Sequence, residues 1–290
     1  MNARELVLQP APTGPSLLRA AFRALSAIAP ALASRIAFRL WFTPSRPRVS
    51  AAAREFLATG ESLDLTVNGR RVAAWMWGIG PAIVLMHGWG GYAAQMQSFV
   101  APLTGAGFRV IAFDAPAHGQ SGASRFGARQ STFYDFGDVL VELSRRFDVA
   151  GLVAHSGGCT AASLAMRTGW RVPAAVFIAP MASPLALRAM FQQALGMTGS
   201  VARRFSDDVE RRLGASWSDF EVPSLPQRLE TPPLLVIHDR EDRETSWSEG
   251  AEIAGAWPRA RLITTTGLGH RRLLRDPEVV AAAVRFLTQH

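Results

Sequence analysis

The stretch Leu152-Val153-Ala154-His155-Ser156-Gly157-Gly158-Cys159-Thr160-Ala161 decides how this 290-residue chain is read. A short apolar run of the kind buried on both faces of a sheet enters a tight turn, and small residues suited to a closely packed helix follow. A serine on such a turn has its hydroxyl aimed out of the sheet. Strand and helix cross closely there, so the positions two before and two after the serine must be small, as Ala154 and Gly158 are. Free amide groups at the start of the helix favour negative charge developing beside the serine.

Outward from this turn the same pattern recurs. Apolar runs without alternation occupy residues 83–86, 110–113, 175–178, 234–237 and 262–264, each reading as a strand buried on both faces. Helix-like stretches separate them, among them Ser131 to Arg146, Cys159 to Thr168, Ser246 to Trp257 and Pro277 to Thr288. Alternating β and α units predict an α/β fold, a mostly parallel sheet with helices on both faces. Its ligands belong beyond the carboxyl ends of the strands. Upstream, Leu63, Leu65 and Val67 alternate with polar residues, Asn68-Gly69 is a two-residue hairpin turn, and Val72 to Trp77 returns, so the sheet opens with an antiparallel hairpin.

Three regions follow: an N-terminal helical extension with its linker (1–50), an α/β core (51–179 and 234–290), and a helical insertion (180–233). Within the insertion, Ser183-Pro184 and Ser206-Asp207-Asp208 read as helix starts, and Gly214 closes the second helix. Its apolar residues, such as Met190, Phe191, Phe205 and Trp217, suit a cap over a substrate pocket. In the extension, Pro30 divides two amphipathic helices, and Leu17, Leu18, Ala21, Leu25 and Ile28 form an apolar stripe. Arg19, Arg23, Arg35 and Arg39 within residues 16–42 argue against a membrane-spanning helix. Arg23 and Pro30 also argue against a signal peptide, although Ala31-Leu32-Ala33 resembles a cleavage site. Two readings of the extension stay open: helices packed on the main domain, or an interfacial helix giving peripheral membrane contact through residues 16–42. The expected compartment is the cytoplasm, with or without that contact.

Four further stretches carry chemistry. Leu85-Met86-His87-Gly88-Trp89-Gly90-Gly91 ends a buried strand, as does Asp114-Ala115-Pro116-Ala117-His118-Gly119-Gln120-Ser121-Gly122. Val236-Ile237-His238-Asp239-Arg240-Glu241-Asp242 crowds three acids into one loop, and Thr266-Gly267-Leu268-Gly269-His270 sets a histidine on a Gly-rich turn before the terminal helix. Over roughly residues 60 to 288 the chain resembles the α/β-hydrolase fold family. The family's G-x-S-x-G elbow reads here as Ala154-His155-Ser156-Gly157-Gly158, with Ala in place of the first Gly. The resemblance implies a serine hydrolase with Ser156 as nucleophile, His270 as base and Asp242 as orienting acid, in the chain order of the fold. Asp242 takes the last place of the family's H-G-x-x-D pattern, and Asp239 is its main rival, ahead of Glu241. The resemblance also places the oxyanion donors on the backbone of Trp89 and Gly157, and gives His87, Asp114, His118 and Ser121 structural roles. The implied activity is that of a carboxylesterase acting on a small-molecule acyl ester or thioester. The alternatives are a membrane-associated lipase or acyltransferase, and a non-catalytic binding protein on the same fold. Serine at the elbow also fits cofactor-free perhydrolysis.

Composition narrows the partners. The net charge is +8, but all 31 basic residues are arginines scattered along the chain, which fits a GC-rich, bacterial coding sequence better than a nucleic-acid surface. The single cysteine, Cys159, excludes an internal disulfide and reads as a buried small hydrophobe. No metal or dinucleotide motif is present, so no cofactor is expected.

Overall fold

Eight strands form a single sheet in the order β1-β2-β4-β3-β5-β6-β7-β8. The computed structural model describes residues 16–290. In chain order the elements are α1 (Ser16–Ile28), α2 (Pro30–Trp41), α3 (Ala51–Ala58), β1 (Glu61–Val67), β2 (Arg70–Trp77), β3 (Ala82–Met86), α4 (Val100–Gly105), β4 (Arg109–Phe113), α5 (Phe133–Arg146), β5 (Val149–His155) and α6 (Gly157–Arg167). There follow β6 (Ala175–Ile178), α7 (Leu185–Leu195), α8 (Gly199–Leu213), β7 (Leu234–Asp239), α9 (Trp247–Ala256), β8 (Ala260–Thr265), α10 (Gly269–Arg272) and α11 (Pro277–Thr288). The hairpin is as expected: β1 and β2 are antiparallel, and Asn68 and Gly69 both take positive φ, 50° and 73°. β2 also runs against β4, and the remaining pairings are parallel.

The parallel strands are apolar on both faces because each face is covered. In β3, Val84 and Met86 join one buried cluster, which includes Leu140 and Met166, while Ile83 and Leu85 join another, which includes Leu103 and Phe286. Full burial of each such side chain stabilises by roughly 1.5–3 kcal/mol. The flanking helices start on sequence-encoded caps. Thr132 and Asp135 bond reciprocally at α5, and Asp276 accepts from Glu278 N and Val279 N ahead of Pro277 at α11. β8 departs from expectation. It is the edge strand, neighboured by β7 alone, and Ile263 is exposed, so the run 262–264 is not buried on both faces.

The chain divides into two compact units. The sheet unit holds residues 42–183 and 218–290. Among the described residues the helical unit joins residues 16–41 with residues 184–217, so most of the extension and most of the insertion belong together, while residues 180–183 and 218–233 stay with the sheet. In the helical unit α1 packs on α2 and α7, and α2 on α8. Trp41 sits edge-on to Phe191, Phe205 and Trp217 at 5.1–5.9 Å, and the Ser34 hydroxyl donates to Asp208 at 2.6 Å. Pro30 separates α1 from α2 as expected. One expectation fails here. The residues Ser206-Asp207-Asp208 lie inside α8, which starts at Gly199; Gly214 does close it, at φ 66°. On α1 the buried residues are Phe22 and Ser26, whereas Leu17, Leu18 and Ile28 of the apolar stripe face solvent. No helix among the described residues is long and apolar enough to cross a membrane.

Candidate active site

The elbow comes directly off the centre of the sheet. Ser156 follows β5 with φ 53° and ψ −126°, a conformation that costs a non-glycine residue about 1–3 kcal/mol. Packing holds it. Ser156 N donates to Ile178 O at 2.9 Å, and α6 begins at once, with Cys159 N donating to Ser156 O at 2.9 Å. A Cβ on Gly158 would come within 2.6 Å of His87 O, so the helix and the end of β3 meet with room for glycine only. A Cβ on Gly88 would lie 2.9 Å from Ser156 Cβ, and one on Gly157 would lie 3.5 Å from Trp89 Cβ. The β3 loop and the elbow are therefore in contact, with Trp89 beside Gly157. Gly157 N, at the first position of α6, has no carbonyl upstream in the helix to bond.

In the loop after β7, the Asp242 side chain is shielded from solvent and lies 2.7 Å from His270 Nδ1 through Oδ2. The same oxygen lies 3.2 Å from His238 Nε2 and 3.1 Å from the Thr245 hydroxyl. Its other oxygen accepts from Glu244 N and Thr245 N at 2.8 and 3.0 Å. Burial by itself would raise the Asp242 pKa. The hydrogen bonds from His238, His270 and Thr245, with the charge on His270, hold it far below the usual carboxylate range. His238 and Thr245 had no role in the sequence reading. His238 fills the first place of the H-G-x-x-D pattern and so left a signal; Thr245 left none.

Asp239, the rival acid, does not reach His270. Its Oδ1 accepts from Glu241 N at 2.9 Å, and its Oδ2 from Leu268 N at 3.0 Å and the Thr265 hydroxyl at 2.6 Å. These bonds anchor the loop that carries His270. Glu241 is exposed. Between elbow and base stands His155: its Nε2–H donates to His270 O at 3.1 Å, and the two rings are 4.7 Å apart. The His155 imidazole, next in sequence to Ser156, thus ties the elbow to the backbone of His270.

Asp114, Ser121 and His87 hold the neighbouring loops together. Asp114 accepts from Ala93 N and Gln120 N at 2.7 Å each, and the Ser121 hydroxyl donates to Asp114 O. His87 is buried; Nδ1–H donates to Gly88 O at 2.7 Å, and Nε2 accepts from Ala115 N at 3.0 Å, which fixes a neutral tautomer. Among the described residues no cluster of three or more His, Cys, Asp or Glu side chains is arranged to hold a metal.

Two buried histidines set an acid limit on stability. Burial, with the neighbouring His87 ring, lowers His118 to about 3 from 6.5, and burial, with His270, does the same for His155. Each keeps one ring nitrogen buried and unbonded, His118 Nε2 and His155 Nδ1. Below pH 6.5 the unfolded chain binds protons that the folded chain refuses down to about pH 3. Stability is therefore complete above 6.5 and falls as the pH drops towards 3. At pH 5 each histidine should cost about 2 kcal/mol. Urea unfolding at pH 7 and pH 5 should show the loss, to which buried His87, lowered by the same cause, adds, and His118→Gln should remove part of it. Equal stability at the two pH values would contradict this account.

The family model described as alpha/beta hydrolase fold matches residues 81–262. A protein of Mycobacterium phage D29 named as a non-heme haloperoxidase is 34% identical over 114 residues, 38% of this chain and 40% of that protein. The chain thus spans less than half the length of that curated relative. Among solved structures, a protein of Mycobacterium tuberculosis H37Rv named as a non-heme bromoperoxidase superposes with a TM-score of 0.60 at 20% identity, covering 78% of this chain and 97% of that one. The esterase RhEst1 of Rhodococcus sp. ECU1013 gives a TM-score of 0.55 at 17% identity, covering 79% and 98%.

Proposed function

Because the chain belongs to the alpha/beta hydrolase fold family, we propose that it is a serine hydrolase that cleaves a carboxylic ester or thioester through an acyl-enzyme. The observation that carries this reading is the buried Asp242 carboxylate 2.7 Å from His270, on a loop tied to the strained Ser156 elbow through His155. Ser156 Oγ attacks the ester carbonyl while His270 Nε2 takes its proton. Asp242 keeps the proton of Nδ1 in place and stabilises the imidazolium. The oxyanion forms against Trp89 N and Gly157 N, and removing one such donor typically costs about 10²–10³ in rate. Collapse expels the alcohol or thiol, protonated by His270. Water, deprotonated by His270, then attacks the acyl group and frees Ser156.

The haloperoxidase name of the phage relative favours a second reading of the same site. Hydrogen peroxide in place of water at the acyl-enzyme would release a peracid and regenerate the serine hydroxyl. The two readings share the first half-reaction and part at the acceptor.

Incubation with a fluorophosphonate should label the protein at Ser156, and p-nitrophenyl esters from two to sixteen acyl carbons should be hydrolysed with an optimum that sizes the acyl pocket. Peracid formation from a carboxylate and hydrogen peroxide would add the second activity. A folded protein that neither labels nor turns over any ester would instead be a binding protein on this fold.

A further inference from the structure

Leu17, Ala21, Ala24 and Ile28 recur along α1 at spacings of four and three, which sets them on one face, and all four are exposed. Leu17 and Ile28 are 81% and 84% exposed, more than any other large apolar residue described. Burial is taken by the opposite side, through Phe22 and Ser26. On α2 the outward positions interleave Leu32 and Leu40 with Arg35 and Arg39, and α7, which packs on α1, adds exposed Leu187 and Met190. The charge is one-sided. No Asp or Glu occurs between Glu5 and Glu55. The described helical unit carries nine arginines against Asp207, Asp208 and Glu210, all three on α8.

We propose that this helical unit docks on an anionic lipid surface, with the α1 stripe inserted among the acyl chains and the arginines of α1 and α2 on the headgroups. Outward leucines and isoleucine, with exposed arginines on other sides of the same helices and no helix long enough to span, are what an interfacial unit requires. Two copies meeting through this unit would set its excess positive charge against itself, whereas a bilayer rich in phosphatidylglycerol neutralises it. Arginine's long apolar stem lets a guanidinium stay in the headgroup layer while the stripe is inserted below it.

The test is co-sedimentation of the full chain with vesicles of phosphatidylcholine alone and of phosphatidylcholine mixed with phosphatidylglycerol. Binding should require phosphatidylglycerol and weaken as salt is raised. The double substitution Leu17→Ser with Ile28→Ser should weaken it tenfold or more, and Arg23→Gln with Arg35→Gln by about thirty-fold. All four positions are exposed, so circular dichroism should report an unchanged fold whether or not any ester is hydrolysed. The proposal is overturned if the wild type stays in the supernatant, if it binds pure phosphatidylcholine equally well, or if the variants bind like wild type. It is also overturned if Leu17→Ser with Ile28→Ser dissolves an oligomer in lipid-free buffer while vesicle binding persists.

Discussion

Ser156→Ala should lower kcat on p-nitrophenyl esters by about 10⁴–10⁶-fold and leave the fold intact. The proposed nucleophile is the one group on the elbow that nothing else replaces, since Gly157 and Gly158 carry no side chain and Cys159 is buried. Cys159 Sγ contacts Ala154 O at 3.3 Å, and burial raises its thiol well above the ordinary range, so it offers no thiolate in reserve. Alanine keeps the small volume the elbow demands and still has to adopt positive φ, so the variant tests chemistry with the strain unchanged. The small residual rate would come from the oxyanion donors, and fluorophosphonate labelling should vanish with turnover. A variant retaining a tenth of the wild-type rate would remove Ser156 as nucleophile.

Asp242→Asn is expected to cost about 10⁴ in kcat. An amide turns its NH₂ or its oxygen towards His270 Nδ1, and with the NH₂ inward the imidazole carries its proton on Nε2, where it cannot accept one from Ser156. The five hydrogen bonds now held by the carboxylate also sharpen the comparison with Asp239→Asn. Asp239 binds Leu268 N, Glu241 N and the Thr265 hydroxyl rather than His270. Its variant should lose stability by about 1–3 kcal/mol, read as a urea midpoint, with a far smaller change in kcat. If Asp239→Asn were the slower enzyme while both stayed folded, the roles of the two acids would have to be exchanged.

What the sequence made legible is whatever depends on periodicity or on local conformational demand. The unbroken apolar runs and the Asn68-Gly69 turn gave the parallel core and the hairpin, because burial on two faces and paired positive φ leave direct marks on residue choice. Ala154 and Gly158 marked the elbow for the same reason. The spacing from His238 to Asp242 pointed to the carboxylate that lies against His270. Two kinds of fact left no mark. One is what covers an apolar face. The α1 pattern shows a stripe, yet the contacts with α2 and α7 bury Phe22 and leave Leu17 and Ile28 outside. The edge position of β8 is of the same kind, since an apolar run does not say how many neighbours it has. The other is a meeting between loops distant in sequence: the Thr245 hydroxyl comes within 3.2 Å of His270 Nδ1, 25 residues further on, only because the loops after β7 and β8 lie side by side.

The bond between Ser34 and Asp208 spans 174 residues of chain. At translation rates of about 5–20 residues per second, α1 and α2 leave the ribosome about 10–35 s before α8 can meet them. Through that interval Trp41 lacks the Phe205 ring and Phe38 lacks the Arg212 guanidinium that covers it in the finished protein, while much of the parallel sheet is already being laid down. A nascent chain in that state presents a basic, apolar helical hairpin, the kind of segment that ribosome-associated chaperones hold. The yield of folded protein should therefore respond to chaperone supply more steeply than the stability of the finished molecule would suggest.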